Sequence, residues 1–179
     1  MDLKNSKTWD NLHAAWAGET QAHAKYQYYA EKAEKDGYKN ISNVFTLTSK
    51  NELAHSKIWF EYMMDGIPST LPALKNASDG EHYEWSEMYA RFAEEAEEEG
   101  FHEIATKFRN VAKIENSHMQ RYDLHISELE KNEVFQKPEK IEWICMNCGF
   151  SYDGTDAPNI CPVCGKPQSW FSNANEPAK

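Results

Sequence analysis

The chain has 179 residues, enough for one ordinary domain or one domain with a small appendage, and 40% hydrophobic with 13% aromatic residues suffices for a core. A formal net charge of −10 argues against nucleic acid or an anionic membrane surface as partner. No apolar stretch is long enough to cross a bilayer, and the start Met1-Asp2-Leu3-Lys4-Asn5-Ser6-Lys7 lacks the apolar run of a signal peptide. All four cysteines fall in two CxxC pairs, which in a chain of cytoplasmic character favours bound metal over disulfides.

The first helix is expected from Ser6 or Thr8, both good caps, to about Lys35, ahead of Gly37. Its inward stripe reads Trp9, Leu12, Trp16, Glu19, Ala22 or His23, Tyr26, Ala30 and Ala33, the three-and-four spacing of a helix against a core. An unpaired carboxylate at Glu19 in such a stripe would be costly. The second helix, from about Lys39 to Met64, carries Ile41, Val44 or Phe45, Thr48, Glu52, His55, Trp59 and Tyr62. The stretch from Asp65 to Gly80, with Pro68 and Pro72, reads as a break.

The third helix is expected from Ser78 or Asp79 to about Glu99, facing inward with Glu81, Glu84, Met88, Phe92 and Glu95 or Ala96. The fourth follows Gly100, from about His102 to Asn132, with Ile104, Phe108, Val111, Glu115, His118, Tyr122, His125 or Ile126, and Leu129. The acids from Glu94 to Glu99 read as a solvated face. Residues 1–135 thus form a helical domain, 136–140 a Lys/Glu/Pro linker, and 141–179 a tail too small to bury a core without a staple.

The halves echo each other at a shift of 63 positions (115 − 52). Ala30-Glu-Lys-Ala-Glu-Lys-Asp-Gly37 matches Ala93-Glu-Glu-Ala-Glu-Glu-Glu-Gly100, and Tyr26, Ile41, Phe45, Glu52 and His55 fall on Tyr89, Ile104, Phe108, Glu115 and His118. Two helix hairpins related by a pseudo-two-fold axis are implied. At the front the echo breaks: Glu19 falls on His82, beside Glu81, and Glu84 falls on Gln21, so the second half offers one carboxylate more.

Glu52-Leu-Ala-His55 and Glu115-Asn-Ser-His118 each put a carboxylate and an imidazole on one helix face, one turn apart. A single ExxH is usually a surface pair. Two repeat-related ones inside apolar stripes, with Glu19, Glu81 and Glu84 on the stripes of the other helices, describe a dinuclear metal site in a helix bundle. Carboxylates with one imidazole per metal suit iron or manganese.

Cys145-Met-Asn-Cys148-Gly149 and Cys161-Pro-Val-Cys164-Gly165 are knuckles that each place two thiolates on one tight turn. Four thiolates accept zinc or iron alike, and a zinc ribbon is the commoner case. The flanking Trp143, Tyr152, Trp170 and Phe171 and the Cys-Pro-x-Cys-Gly knuckle stand against it.

The chain resembles the rubrerythrins, through Ala17-Gly-Glu-Thr-Gln-Ala22, Glu52-Leu-Ala-His55, Gly80-Glu-His-Tyr-Glu84 with Glu87-Met-Tyr89, Glu115-Asn-Ser-His118 and the tetracysteine tail, over nearly its whole length. The resemblance implies an all-α ferritin-like four-helix bundle followed by a small rubredoxin-like domain. It makes Glu19, Glu52, His55, Glu81, Glu84, Glu115 and His118 ligands of two irons, with His55 and Glu84 competing for one of them according to oxidation state. It makes Cys145, Cys148, Cys161 and Cys164 ligands of a single electron-carrying iron. Tyr26 and Tyr89 match tyrosines beside the iron pair, although as core aromatics they need no such role. His13, His23, His82, His102 and His125 match nothing.

The activity so implied is a peroxidase of oxidative-stress defence, reducing hydrogen peroxide to water with electrons from an external NAD(P)H-linked reductase or a rubredoxin. A ferroxidase that stores iron is the alternative; a zinc-ribbon interaction protein is a third, non-enzymatic reading. A second helix of about 26 residues is about 39 Å long, and the segment 66–79 reaches at most about 46–50 Å. That barely allows a crossover within one chain, so a homodimer swapping its first hairpin is an equal expectation.

Overall fold

The computed structural model describes residues 2–175; the last four residues of the expected tail domain, 176–179, lie outside them. The element order is a short 3₁₀ turn Leu3–Asn5, then α1 (Lys7–Lys35), α2 (Lys39–Met64), α3 (Thr70–Tyr83), a π turn (Glu84–Met88), α4 (Tyr89–Glu98) and α5 (His102–Lys131). Three strands follow: β1 (Gln136–Cys145), β2 (Ser151–Asp156) and β3 (Phe171–Asn173). The chain divides into two compact units, residues 1–69 and 70–179.

The first unit is the α1–α2 hairpin. Ser6 caps α1 by accepting the N–H of Trp9 at 3.3 Å. Gly37 turns the chain at φ 86°, a conformation glycine adopts without steric cost, and the Tyr38 N–H bonds back to the Ala33 carbonyl at 2.8 Å. The seam is built from small side chains: Ala30 and Ala33 on α1, and Ser42, Ser49 and Ser56, spaced by seven, on α2. That spacing keeps one face of α2 against α1. His23 and Ser49 lock it, the Ser49 hydroxyl reaching the His23 carbonyl at 2.9 Å and the His23 ring meeting the Ser49 carbonyl at 2.8 Å.

The second unit repeats this hairpin with α3, the π turn and α4 against α5. Ala93, Ala96 and Ala105 are its small seam residues, each 63 positions after Ala30, Ala33 and Ser42. Gly100 also turns at φ 86°, and the Phe101 N–H meets the Ala96 carbonyl at 2.8 Å. Tyr26 stacks on Phe45 at 6.1 Å and 37°, and Tyr89 on Phe108 at 5.8 Å and 36°. The repeat read from sequence is therefore a repeat of packing.

Several expectations are corrected. The third helix begins at Thr70, not at Ser78 or Asp79, so the break shrinks to residues 65–69. Pro72 did not prevent this because it sits in the first turn, where a backbone N–H has no helical acceptor to lose. That helix is also interrupted at Glu84–Met88 by a π turn. In addition, the large stripe residues are less covered than expected: Ile41 and Ile104 are 48% and 47% exposed, and Tyr62 63%. A two-helix unit buries only its seam.

The tail sheet has order β2-β1-β3, both pairings antiparallel. Residues 136–140, expected as a linker, open β1, with Gln136 opposite Asp156. Trp143, Cys145, Ala157, Cys161 and Phe171 form its core, and the Trp143 indole N–H donates to the Gly154 carbonyl at 3.0 Å.

Candidate metal centre

Each hairpin brings a matching trio together. In the first unit, Glu19 from α1 and Glu52 and His55 from α2 place one ligand atom each within 4.8 Å of one another; in the second, Glu81 from α3 and Glu115 and His118 from α5 do the same. The geometry is repeated. His55 Nδ1 lies 3.0 Å from Glu52 and 3.8 Å from Glu19; His118 Nδ1 lies 2.7 Å from Glu115 and 3.6 Å from Glu81. The i, i+3 spacing on a helix dictates the short contact, and packing against the neighbouring helix supplies the longer one.

Both trios are electrostatically frustrated as they stand. Glu19 is raised above the usual carboxylate range, first by its hydrogen bond with Glu52 and then by loss of water. Glu81 is raised by loss of water and by the Glu115 charge. Carboxylates crowded at one point, partly out of water, hold a proton between them or a cation. One imidazole and two carboxylates per trio form a donor set that fits iron.

Glu84 stands outside both trios. It opens the π turn, half-buried, and its charge acts on Glu81 and on Tyr89. Tyr89 has its phenol pushed up by loss of water and by the Glu84, Glu115 and Glu81 charges. Tyr26 occupies the equivalent place on α1. Sequence reading passed over Trp85, whose indole N–H donates to the Met119 sulfur at 3.3 Å, tying the π turn to the turn of α5 that bears His118. Its signal was an aromatic next to Glu84, indistinguishable there from core filler.

The four cysteines form the second cluster. Its knuckles are near copies: the Cys145 and Cys161 N–H groups reach the Phe150 and Lys166 carbonyls, both at 2.8 Å, and Gly149 and Gly165 take φ 77° and 71°. Thiolates about 2.3 Å from a tetrahedral metal stand about 3.8 Å apart; Cys145–Cys164 and Cys148–Cys161 measure 3.7 and 3.6 Å. The fit is close. The Lys166 backbone brings the Cys164 thiol down to about 6. At Cys148 the Phe150 backbone pulls down, but loss of water and the three neighbouring sulfurs push the thiol up to about 12. A cation at the centre relieves that crowding.

Comparison with known proteins agrees with this chemistry. Residues 10–126 match the rubrerythrin family model, and residues 143–172 match the model of the rubrerythrin rubredoxin-like domain. Rubrerythrin-1 of Clostridium acetobutylicum is 39% identical, with 97% of each chain covered. Rubrerythrin of Porphyromonas gingivalis is 41% identical over 94% of this chain and 90% of its own. Among solved structures, partially reduced nigerythrin is similar at 29% identity and a TM-score of 0.37, covering 94% of this chain and 87% of that one. The fold class is accordingly all-α and ferritin-like with a rubredoxin-like C-terminal domain, and the cofactors are a di-iron site and a tetracysteine iron. The chain belongs to the rubrerythrin family, the iron-binding oxidoreductases that join a ferritin-like di-iron domain to a rubredoxin-like one.

Proposed function

We propose that this chain is a non-haem di-iron peroxidase that reduces hydrogen peroxide to water in the cytoplasm, with electrons relayed through its tetracysteine iron. The observation that carries the reading is the presence, in one chain, of two repeat-related Glu–Glu–His trios and a four-sulfur cluster. When bound, the iron pair supplies the two electrons that cleave the O–O bond, and the tetracysteine iron supplies their replacement one at a time.

The protein's own residues bind and manage protons. Glu19, Glu52, Glu81, Glu115, His55 and His118 would hold the metal pair, with Glu84 and His55 as alternative ligands of one metal. Tyr89, its phenol pushed up by loss of water and by the carboxylate charges around it, keeps a proton at Oη for the peroxide oxygens, with Tyr26 as its counterpart in the other hairpin. The electron donor is an external reductase drawing on NAD(P)H, or a rubredoxin.

Assembly follows from chain reach. Residues 65–69 span at most about 17 Å, less than half of the 26-residue α2 at about 39 Å. A ferritin-like bundle needs one long crossover, which so short a link does not provide. This supports a homodimer in which the α1–α2 hairpin of one copy completes the α3–α5 hairpin of another, covering Ile41, Tyr62 and Ile104. Thirteen residues of α5, about 20 Å, follow His118 before the helix ends at Lys131, so a dimer helps the tetracysteine domain reach the metal pair of its partner copy.

Stopped-flow mixing of anaerobically reduced protein with hydrogen peroxide tests the proposal. Rapid oxidation of the di-iron site supports it; absence of that phase overturns it. Iron storage of the ferritin kind would leave the tetracysteine domain without a task. Among the described residues no helix is long and apolar enough to cross a membrane.

A further inference from the structure

Glu128 breaks a local rule. It lies in the last turn of α5 (its carbonyl accepts the Glu133 N–H at 2.7 Å), where the helix dipole disfavours a negative charge. Its side chain is only 8% exposed, so the carboxylate has also given up most of its water. Two partners compensate: the Lys137 ammonium, itself 14% exposed, and His125 Nδ1 at 3.0 Å. Lys137 belongs to β1, the strand that runs on to Trp143 and Cys145. Around it the strand is pinned to the tetracysteine domain, Gln136 pairing with Asp156 and the Phe135 carbonyl accepting the Ala157 N–H at 2.9 Å.

The joint otherwise holds an open cleft of about 400 Å³, lined by Leu129, Val134, Phe135 and Gln168 among others. Apolar side chains such as Leu129 and Phe135 therefore leave the joint incompletely filled beside the ion pair. A charge pair out of water has one favourable geometry, whereas apolar side chains of the same volume accept several.

We propose that Glu128 and Lys137 are positioning residues for electron delivery: their buried ion pair sets the angle at which the tetracysteine domain leaves α5, and so aims its iron at the metal pair it reduces. The pair adds little to stability, because desolvation offsets attraction, and an apolar replacement is tolerated. Its contribution is direction. The functional half of this proposal rests on the peroxidase reading; the structural half does not.

The test uses the iron-loaded full-length protein with Glu128→Leu/Lys137→Met, which keeps the joint filled without charge. Its melting temperature stays near that of the parent, peroxide still oxidises the reduced di-iron site at the parental rate, and the tetracysteine reduction potential is unchanged. Electron transfer from tetracysteine iron to the oxidised pair, read as the return of ferric tetracysteine absorbance, slows severalfold, because the tunnelling rate falls steeply as the two iron sites are held further apart. Small-angle X-ray scattering shows a broader distance distribution. The reversed pair Glu128→Lys/Lys137→Glu restores both. If the apolar variant transfers electrons at the parental rate with unaltered scattering, the pair is merely structural and the proposal fails. If the parent itself shows no peroxide oxidation, the peroxidase reading fails, and the scattering comparison alone decides whether the pair sets the angle.

Discussion

Glu19 and Glu81 occupy equivalent places, 3.8 and 3.6 Å from the Nδ1 atoms of His55 and His118, yet they are 62 positions apart (81 − 19) in a chain whose repeat is 63. The π turn at Glu84–Met88 accounts for the difference. From Glu19 to Tyr26 there are seven steps, and from Glu81 to Tyr89 eight, so the second hairpin has one residue too many for an unbroken α-helix. A π turn absorbs one extra residue while leaving the faces on either side in register. Glu81 and Tyr89 thus both keep their orientation, and Glu84 is placed at the start of the widened turn.

Deleting Ser86 should convert this turn into plain α-helix and make the second hairpin a copy of the first. The protein folds and binds iron at the parental stoichiometry, measured by metal analysis. Peroxide turnover falls by about tenfold, or about 1.4 kcal/mol in barrier, because the exchange proposed between Glu84 and His55 is lost. Unchanged turnover would show that the extra residue is not functional.

Cys161→Ser should separate the two iron sites. It removes one of four thiolates from the tetracysteine cluster while leaving the helical trios untouched. The first oxidation of the reduced di-iron site by peroxide survives in stopped flow, and steady-state turnover with an external reductase stops.

Trp143→Phe should weaken the tail domain by about 1–2 kcal/mol, since the carbonyl of buried Gly154 loses the indole N–H it accepts. Thermal unfolding followed by loss of the tetracysteine chromophore reports it; no change would mean that water replaces the indole.

Glu97 gives a pH prediction. Its carboxyl is held below the usual range by the Arg109 guanidinium at 2.8 Å and by His102 at 2.6 Å. A lowered folded value means that the unfolded chain binds the proton more tightly, so this stabilisation is present above 4.5 and is lost as pH falls through the folded value. Glu97→Gln therefore lowers the melting temperature slightly at neutral pH and not at all in strong acid. Because the group is exposed the effect is small and fades with salt.

The sequence by itself determined the chemistry. Repeat spacing, i, i+3 pairs and CxxC knuckles are local, and local spacing on a helix or turn sets which side chains share a face. The bounds of α1 and α2, both trios and the cysteine cluster could be read for that reason. Tertiary structure decided what local pattern leaves degenerate. Pro72 reads as a break or as a first turn depending on where the helix starts, and an extra residue reads as an imperfect repeat until the π turn absorbs it. Glu128 carried no signal in the sequence, and Lys137 fell in the expected linker. Only packing α5 against β1 removes both from water, and a charge acquires its meaning from the water it has lost.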